Sequence, residues 1–125
     1  MPIELDTGQS RSVSLIVART DTAAAMGSGD VDVLATPRVV ALVEQAACAV
    51  LAGQLDPGTT SVGVRIELDH RRPTRIGATV TATAVLTGVD GRKLDFTVRV
   101  HEGEDEVASG VHRRVITSRD TFAQI

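Results

Sequence analysis

The segment TPRVVALVEQAACAVLAGQ, residues 36–54, constrains the fold of this chain more than any other part of the sequence. It opens with Thr36 and Pro37, which suit the N-cap and the first position of a helix, and neither Pro nor Gly recurs before Gly53. This pattern predicts a helix of about five turns. Apolar residues surround most of its circumference, which is typical of a helix enclosed by protein.

After this helix the apolar period changes to two, which predicts β-strands. In residues 61–70 one face carries Val62, Val64, Ile66, Leu68 and His70, and the other carries Gly63, Arg65, Glu67 and Asp69. We expect the apolar face to meet the helix, with His70 at its end. Other strands are predicted at 12–18, 79–89, 93–101 and 107–117, with Asp90-Gly91 as a hairpin turn.

One long apolar helix followed by an antiparallel meander predicts an α+β fold in which the sheet wraps the helix. A chain of 125 residues is long enough for one such domain, which we expect to span residues 1–125. The sheet would keep edge strands and an incompletely covered helix. Pairing with a second copy protects both, so we predict a homodimer and leave open whether dimers assemble further.

The composition excludes several classes of function. A net charge of −3, with two Phe and neither Trp nor Tyr, argues against nucleic-acid binding by phosphate contacts or base stacking. The sequence has no apolar run near the ~20 residues of a membrane span, and no metal-binding motif. A lone Cys48 and a start without signal-peptide features predict a cytoplasmic protein.

Glu44 is the residue of the helix that packing explains least. Its helical neighbours three and four positions away are apolar: Val40, Ala41, Ala47 and Cys48. Because burying an unpaired carboxylate is costly, Glu44 must be protonated, hydrogen-bonded or beside a wet cleft. The alternative is a boundary residue that reaches solvent between two packed elements. Cys48 is expected to be a small core residue.

His70 and Thr36 are the other candidates for chemistry. If the sheet wraps the helix, His70 and Glu44 are two titratable groups that face one interior region, the arrangement expected of acid, base or nucleophile. Thr36 is sufficiently explained as an N-cap, although free N–H groups at a helix start also favour developing negative charge. Eight residues of helix separate Thr36 from Glu44 by about 12 Å.

A helix is followed by a four-stranded meander, and the segment HRRPTRIGATVTATAVL carries a Pro and then a Gly before a Thr/Val strand. This order resembles that of the hotdog-fold thioesterases, in which a sheet wraps a central helix. TPRVVALVEQAAC followed by SVGVRIELDH is similar to the fluoroacetyl-CoA thioesterase-like group. That group carries a Thr at the helix start, a Glu eight residues later and a His ending the next strand, the spacing of Thr36, Glu44 and His70. SGVHRRVI near the end resembles its last strand.

This resemblance implies hydrolysis of an acyl-CoA or related thioester at the interface of a homodimer. It implies acid, base or nucleophilic roles for Glu44 and His70, with Thr36 as a hydrogen-bonding partner. Gly63 would lie near the thioester carbonyl, and Arg114 is expected among the surface basic residues that meet the substrate's phosphates. We expect no cofactor, since CoA is part of the substrate.

One departure concerns the segment before the helix. The fluoroacetyl-selective enzyme places an aromatic lid there, whereas no aromatic residue precedes Phe96 in this sequence. The segment AAAMGSGDVDVLA therefore suggests a more open or differently lined acyl site, and fluoroacetyl selectivity is not expected to carry over. A different class of function also stays open: a non-catalytic hotdog module that binds acyl-CoA or a small apolar ligand.

Overall fold

The computed structural model describes residues 5–123. Its α-helices are α1, Ala23–Met26, and α2, Thr36–Leu51. Its strands are β1, Ser10–Ile16; β2, Thr59–His70; β3, Thr79–Asp90; β4, Lys93–Glu102; and β5, Asp105–Ser118. The five strands form one antiparallel sheet in the order β1-β3-β4-β5-β2. The predicted α+β class is confirmed. Within residues 5–123, neither helix has the length and hydropathy needed to cross a lipid bilayer.

Helix α2 packs one face against the sheet. The buried residues of this face are Val39, Leu42, Val43, Ala46, Ala47, Val50 and Leu51. They join a core with inward residues of β3 and β4, which include Val80, Ala82, Ala84, Leu86, Phe96, Val98 and Val100. Removal of these apolar surfaces from water is the main force that holds the helix in the curve of the sheet.

The opposite face of α2 is less covered than its sequence suggests. Val40 and Glu44 are half-buried and Cys48 is exposed, one below the other along the helix. The expectation that Cys48 is a core residue is therefore wrong, whereas an incompletely covered helix was expected for one chain alone. The reason is geometric, because the sheet ends at β2 beside this face and continues no further within residues 5–123.

Strand β2 lies at the edge of the sheet, and a bulge interrupts its alternation. Gly63 lies opposite Arg114, but the next paired residue, Arg65, lies opposite Arg113. Val64 is the extra, unpaired residue, and it reverses the alternation of side chains between the two faces of β2. Gly63 and Ile66 therefore share the face directed at the helix, while Val62 points to the opposite face. The predicted single apolar face from Val62 to His70 is wrong for this reason.

We call the side of β2 that faces away from β5 the outer edge; among residues 5–123 no strand pairs with it. Apolar side chains lie along it: Val64 is 54% exposed and Ile66 38% exposed. A long apolar edge of this kind is a template for pairing with another strand.

Candidate active site

Thr36 and His70 meet where β2 ends beside the start of α2. Thr36 is the first helical residue, and the N-cap position belongs to Ala35, whose side chain makes no capping bond. The hydroxyl Oγ1 of Thr36 lies 2.9 Å from Nδ1 of His70. The predicted N-cap role of Thr36 is therefore wrong, and its hydroxyl is instead free to interact with the imidazole.

The His70 ring is held in the neutral form at neutral pH. Burial lowers the pKa of His70 below its usual value, and the nearby Arg72 backbone opposes this shift to a smaller extent. Its Nε2 is buried and has no hydrogen-bond partner within residues 5–123. A neutral imidazole beside a hydroxyl can accept a proton from that hydroxyl or pass one on.

A cavity of about 250 Å³ opens beside this pair. Besides Thr36 and His70 it is lined by Ala23, Ser28, Val33, Leu34, Arg71, Arg72 and Pro73. The segment before α2 thus contributes small and aliphatic walls. At the rim, Arg72 pairs with Asp105 at 3.2 Å and Arg71 with Asp69 at 3.3 Å.

Glu44 forms an ion pair with an interior arginine. Its Oε2 accepts a hydrogen bond from Nη1 of Arg114 at 3.2 Å, and the side chains are 39% and 8% exposed, respectively. The remaining donors of the guanidinium are directed at Ser61, with Nε 2.8 Å from Oγ and Nη2 3.0 Å from the carbonyl oxygen. The carboxylate thus has a fixed positive partner while part of it stays open to the surface.

The interior position of Arg114 changes its predicted part in the site. Residues on the surface were expected to meet the phosphates of CoA, but Arg114 is buried. Its charge is directed at Glu44, so we place Arg114 with the carboxylate instead of with the phosphates.

Gly63 leaves the space that the Glu44 carboxylate occupies. A Cβ built on Gly63 would collide with Oε2 of Glu44 and come within 3.0 Å of Cε1 of His112. The backbone of Gly63 does not have a positive φ, so close approach rather than an unusual conformation requires glycine here.

His112 is the residue of this cluster that the sequence interpretation missed. Its side chain is 1% exposed, with Nδ1 2.8 Å from the Arg65 carbonyl oxygen and Nε2 3.2 Å from Nη1 of Arg114. The ring stacks on Phe96 with centroids 6.2 Å apart. Burial, with a smaller contribution from the Arg114 charge, lowers the pKa of His112; the Arg65 carbonyl and Glu44 oppose this shift. The available signal was alternation, which places residues 112 and 114 on one face.

Within one chain these groups form two clusters. Thr36 and His70 line the cavity described above, whereas Glu44, Gly63 and His112 line a second one of about 260 Å³ with Val40, Val64, Arg65 and Ile66. The expectation that Glu44 and His70 face one region is wrong for the single chain. The rise of the helix explains the separation, since eight residues span about 12 Å. Both cavities border β2.

Neither cluster resembles a metal centre. Among residues 5–123 no group of three or more His, Cys, Asp and Glu side chains is arranged to hold a metal ion.

Comparison with known proteins gives a consistent family. The family model described as fluoroacetyl-CoA-specific thioesterase, FlK, matches residues 17–120. The fluoroacetyl-CoA thioesterase of Streptantibioticus cattleyicolor is 41% identical over 91 residues, a segment that spans 73% of this chain and 66% of that relative's length.

Solved structures agree with the sequence matches. A structure of the fluoroacetyl-CoA thioesterase FlK has a TM-score of 0.90 at 31% identity, with coverage of 97% of this chain and 94% of that one. An FlK mutant in complex with fluoroacetate and CoA has a TM-score of 0.89 at 32% identity, with 94% and 99% coverage. A hot-dog-like protein from Thermanaerovibrio acidaminovorans has a TM-score of 0.85 at 26% identity, with 94% and 87% coverage.

These likenesses confirm the predicted hotdog fold and the resemblance drawn from Thr36, Glu44 and His70. A match over residues 17–120 covers most of the chain. The chain belongs to the fluoroacetyl-CoA-specific thioesterase family.

Proposed function

We propose that this protein hydrolyses acyl-CoA thioesters with Thr36, Glu44 and His70. Two placements carry the proposal: the Thr36 hydroxyl contacts the His70 imidazole at the end of β2, and the Glu44 carboxylate, paired with Arg114, lies beside Gly63 within the same strand. Membership of a family of acyl-CoA thioesterases supports the substrate class.

We further propose that the working site forms between two copies of the chain. The two clusters lie at different positions along β2, whose outer edge carries the exposed Val64 and Ile66. Antiparallel pairing of this edge with its copy reverses direction, so the Gly63 end of one chain approaches the His70 end of the other. Pairing also removes the apolar edge from water.

The chemistry follows from the groups that would meet there. The Glu44 carboxylate either takes a proton from the water that attacks the thioester carbonyl carbon, or attacks that carbon itself to form an acyl anhydride that water then hydrolyses. In both routes the C–S bond breaks and the His70 and Thr36 pair passes a proton to the departing thiolate. The consumed water replaces that proton and supplies the hydroxyl group of the released acid. Backbone N–H groups at Gly63 and at the start of α2 stabilise the oxyanion. The arrangement is compatible with both routes.

We expect this protein to differ from the fluoroacetyl-CoA-specific enzyme in the acyl groups that it selects. The cavity at Thr36 and His70 is walled by Ala23, Val33 and Leu34, and its described lining residues include no Phe, Tyr or Trp. Small aliphatic walls select weakly between acyl groups of similar size, because each methylene changes binding modestly. We propose hydrolysis of several short acyl-CoA esters without preference for the fluorinated one.

The test is a panel of acyl-CoA esters with release of free CoA thiol as the readout. Glu44→Gln, His70→Gln and Thr36→Val are each expected to lower kcat by a factor of about 10² to 10⁴. Glu104→Gln is the matched control, because Glu104 is an exposed carboxylate in a turn. Full activity of Glu44→Gln and His70→Gln would refute these roles, and tight binding of the esters without turnover would favour the non-catalytic module.

A further inference from the structure

We propose that His112 is a positioning residue for Glu44: its neutral imidazole accepts a hydrogen bond from Arg114 and so holds the guanidinium on the carboxylate. This inference rests on the proposed function, in which Glu44 performs the chemistry. It concerns a residue outside the Thr36, Glu44 and His70 set.

The two contacts of the ring fix which nitrogen carries the proton. Nδ1 lies 2.8 Å from the carbonyl oxygen of Arg65, and a carbonyl can only accept, so Nδ1 carries the proton. Nε2 then presents a lone pair. Its neighbour at 3.2 Å is Nη1 of Arg114, which can only donate. His112 is therefore an acceptor that the backbone of β2 holds in one tautomer.

Arg114 connects this acceptor to the carboxylate. Nη1 carries two hydrogens and has two acceptors, Nε2 of His112 and Oε2 of Glu44, both at 3.2 Å. Nε and Nη2 are directed at Ser61. The acceptors of Glu44, His112 and Ser61 thus fix the plane of the Arg114 guanidinium. Without the His112 acceptor, one N–H of a buried cation loses its partner, and the guanidinium can turn away from Glu44.

The protonation state of the His112 ring decides whether Arg114 keeps its hydrogen bonds to both His112 and Glu44. Glu44 of α2 and Arg114 of β5 face the ring, Arg65 of β2 contributes its carbonyl and β4 contributes Phe96. A protonated Nε2 would become a donor, repel the Arg114 cation and compete with it for Oε2 of Glu44, now 3.8 Å away. Activity is thus expected to fall on the acid side as His112 takes up a proton.

Two substitutions separate this role from packing. His112→Leu keeps an apolar side chain in the interior but removes the acceptor, whereas the amide of His112→Gln offers an acceptor that does not titrate. We expect His112→Leu to lower kcat about 10- to 100-fold with KM changed less than about twofold. His112→Gln is expected to recover most of kcat and to stay active at lower pH than the wild type.

A spectroscopic measurement on the wild-type protein tests the proposed proton position without any substitution. Nitrogen NMR of the wild-type protein at neutral pH is expected to show a neutral His112 ring with its proton on Nδ1. A ring protonated on Nε2, or a charged ring, would overturn the proposal. Equal loss of kcat in His112→Gln and His112→Leu, with unfolding temperatures near that of the wild type, would do the same.

The outcome distinguishes this proposal from the function on which it rests. An active Glu44→Gln variant would refute the role of the carboxylate and the positioning role with it. An inactive Glu44→Gln beside a fully active His112→Leu would refute the positioning role alone.

Discussion

Gly63 shows how one missing side chain shapes the candidate site. A Cβ at this position would meet the carboxylate of Glu44, the ring of His112 and Nη1 of Arg114. All three are ends of side chains, so an added methyl would displace functional groups more than backbone. The cost should therefore fall on activity rather than on folding.

We predict that Gly63→Ala lowers kcat about tenfold or more and lowers the free energy of unfolding by about 1 kcal/mol or less. Steady-state kinetics and urea unfolding measure the two quantities. Gly88→Ala is the control, since Gly88 also lies at a strand irregularity but its added Cβ would make an ordinary 3.7 Å contact. Unchanged kcat in Gly63→Ala would show that the carboxylate does not need this space.

At the same scale, the sequence pattern predicted some residues of the candidate site and did not predict others. Glu44 and His70 could be predicted as special because each interrupts an apolar pattern. The use of the Thr36 hydroxyl by His70 was implied by the family resemblance and not by the pattern, because a Thr before Pro is equally typical of an N-cap. His112 and the contact of Arg114 with Glu44 were not predicted for a related reason: alternation gives the face of a side chain but not the residues that it meets across the sheet.

At the scale of elements, β2 is where prediction and structure differ most. Its existence and its end at His70 follow from the period of two, yet the bulge after Gly63 reverses the faces of the residues before it. A Gly inside a strand pattern is a recognised sign of a bulge, and it was present at position 63. Helix α2 begins at Thr36, one residue before the predicted first helical position at Pro37, and ends at Leu51, ahead of Gly53.

The outer edge of β2 makes a testable prediction about assembly. We expect Val64→Lys to shift the protein from dimer to monomer, because a lysine on an edge strand opposes pairing with another strand. Sedimentation velocity at several protein concentrations measures the change. Val31→Lys is the matched control, since Val31 is 55% exposed and lies outside the sheet. A Val64→Lys protein that keeps the mass of the wild type would contradict pairing through this edge.

At the scale of the whole molecule, the separation of the two clusters predicts complementation. His70→Gln and Glu44→Gln should each be inactive, but a mixture that exchanges subunits contains dimers with one intact site. An equal mixture should regain about one quarter of wild-type activity, since half of the dimers are mixed and each has one such site. Thiol release after mixing measures this. Failure to regain activity in dimers shown to be mixed would place all three residues in one chain.

The two buried histidines predict how stability depends on pH. The pKa values of His70 and His112 are lowered in the folded chain, whereas an unfolded histidine titrates near pH 6.5. The unfolded state then binds more protons, so stability is full above about pH 6.5 and is lost as the pH falls below it. We expect a lower unfolding temperature at pH 5.5 than at pH 7.5 by about a few degrees.

Substitution of both rings should remove much of this dependence. The His70→Gln, His112→Gln double variant is expected to show a smaller difference in unfolding temperature between about pH 7.5 and about pH 5.5. His101→Gln provides the control, because His101 lies near the end of β4 and lines neither cavity. Equal slopes in the wild type and the double variant would contradict the assigned shifts.

The fold as a whole was more accessible to prediction than the site. One apolar helix and a meander leave few ways to bury the helix, so the wrapped sheet follows from pattern alone. The proposed site depends on which groups of two copies meet across the edge of β2. That information lies in the bulge, in the rise of α2 and in the surface offered to a second copy.

The interior position of Arg114 has a consequence for how this protein can change over time. Glu44 is the counter-ion of a cation that the fold has taken out of water, so the same carboxylate serves stability as well as the proposed chemistry. A lineage that loses the reaction still needs an acidic partner for Arg114. An acidic residue at position 44 would therefore persist in descendants that no longer hydrolyse anything, and its presence alone would not identify an enzyme.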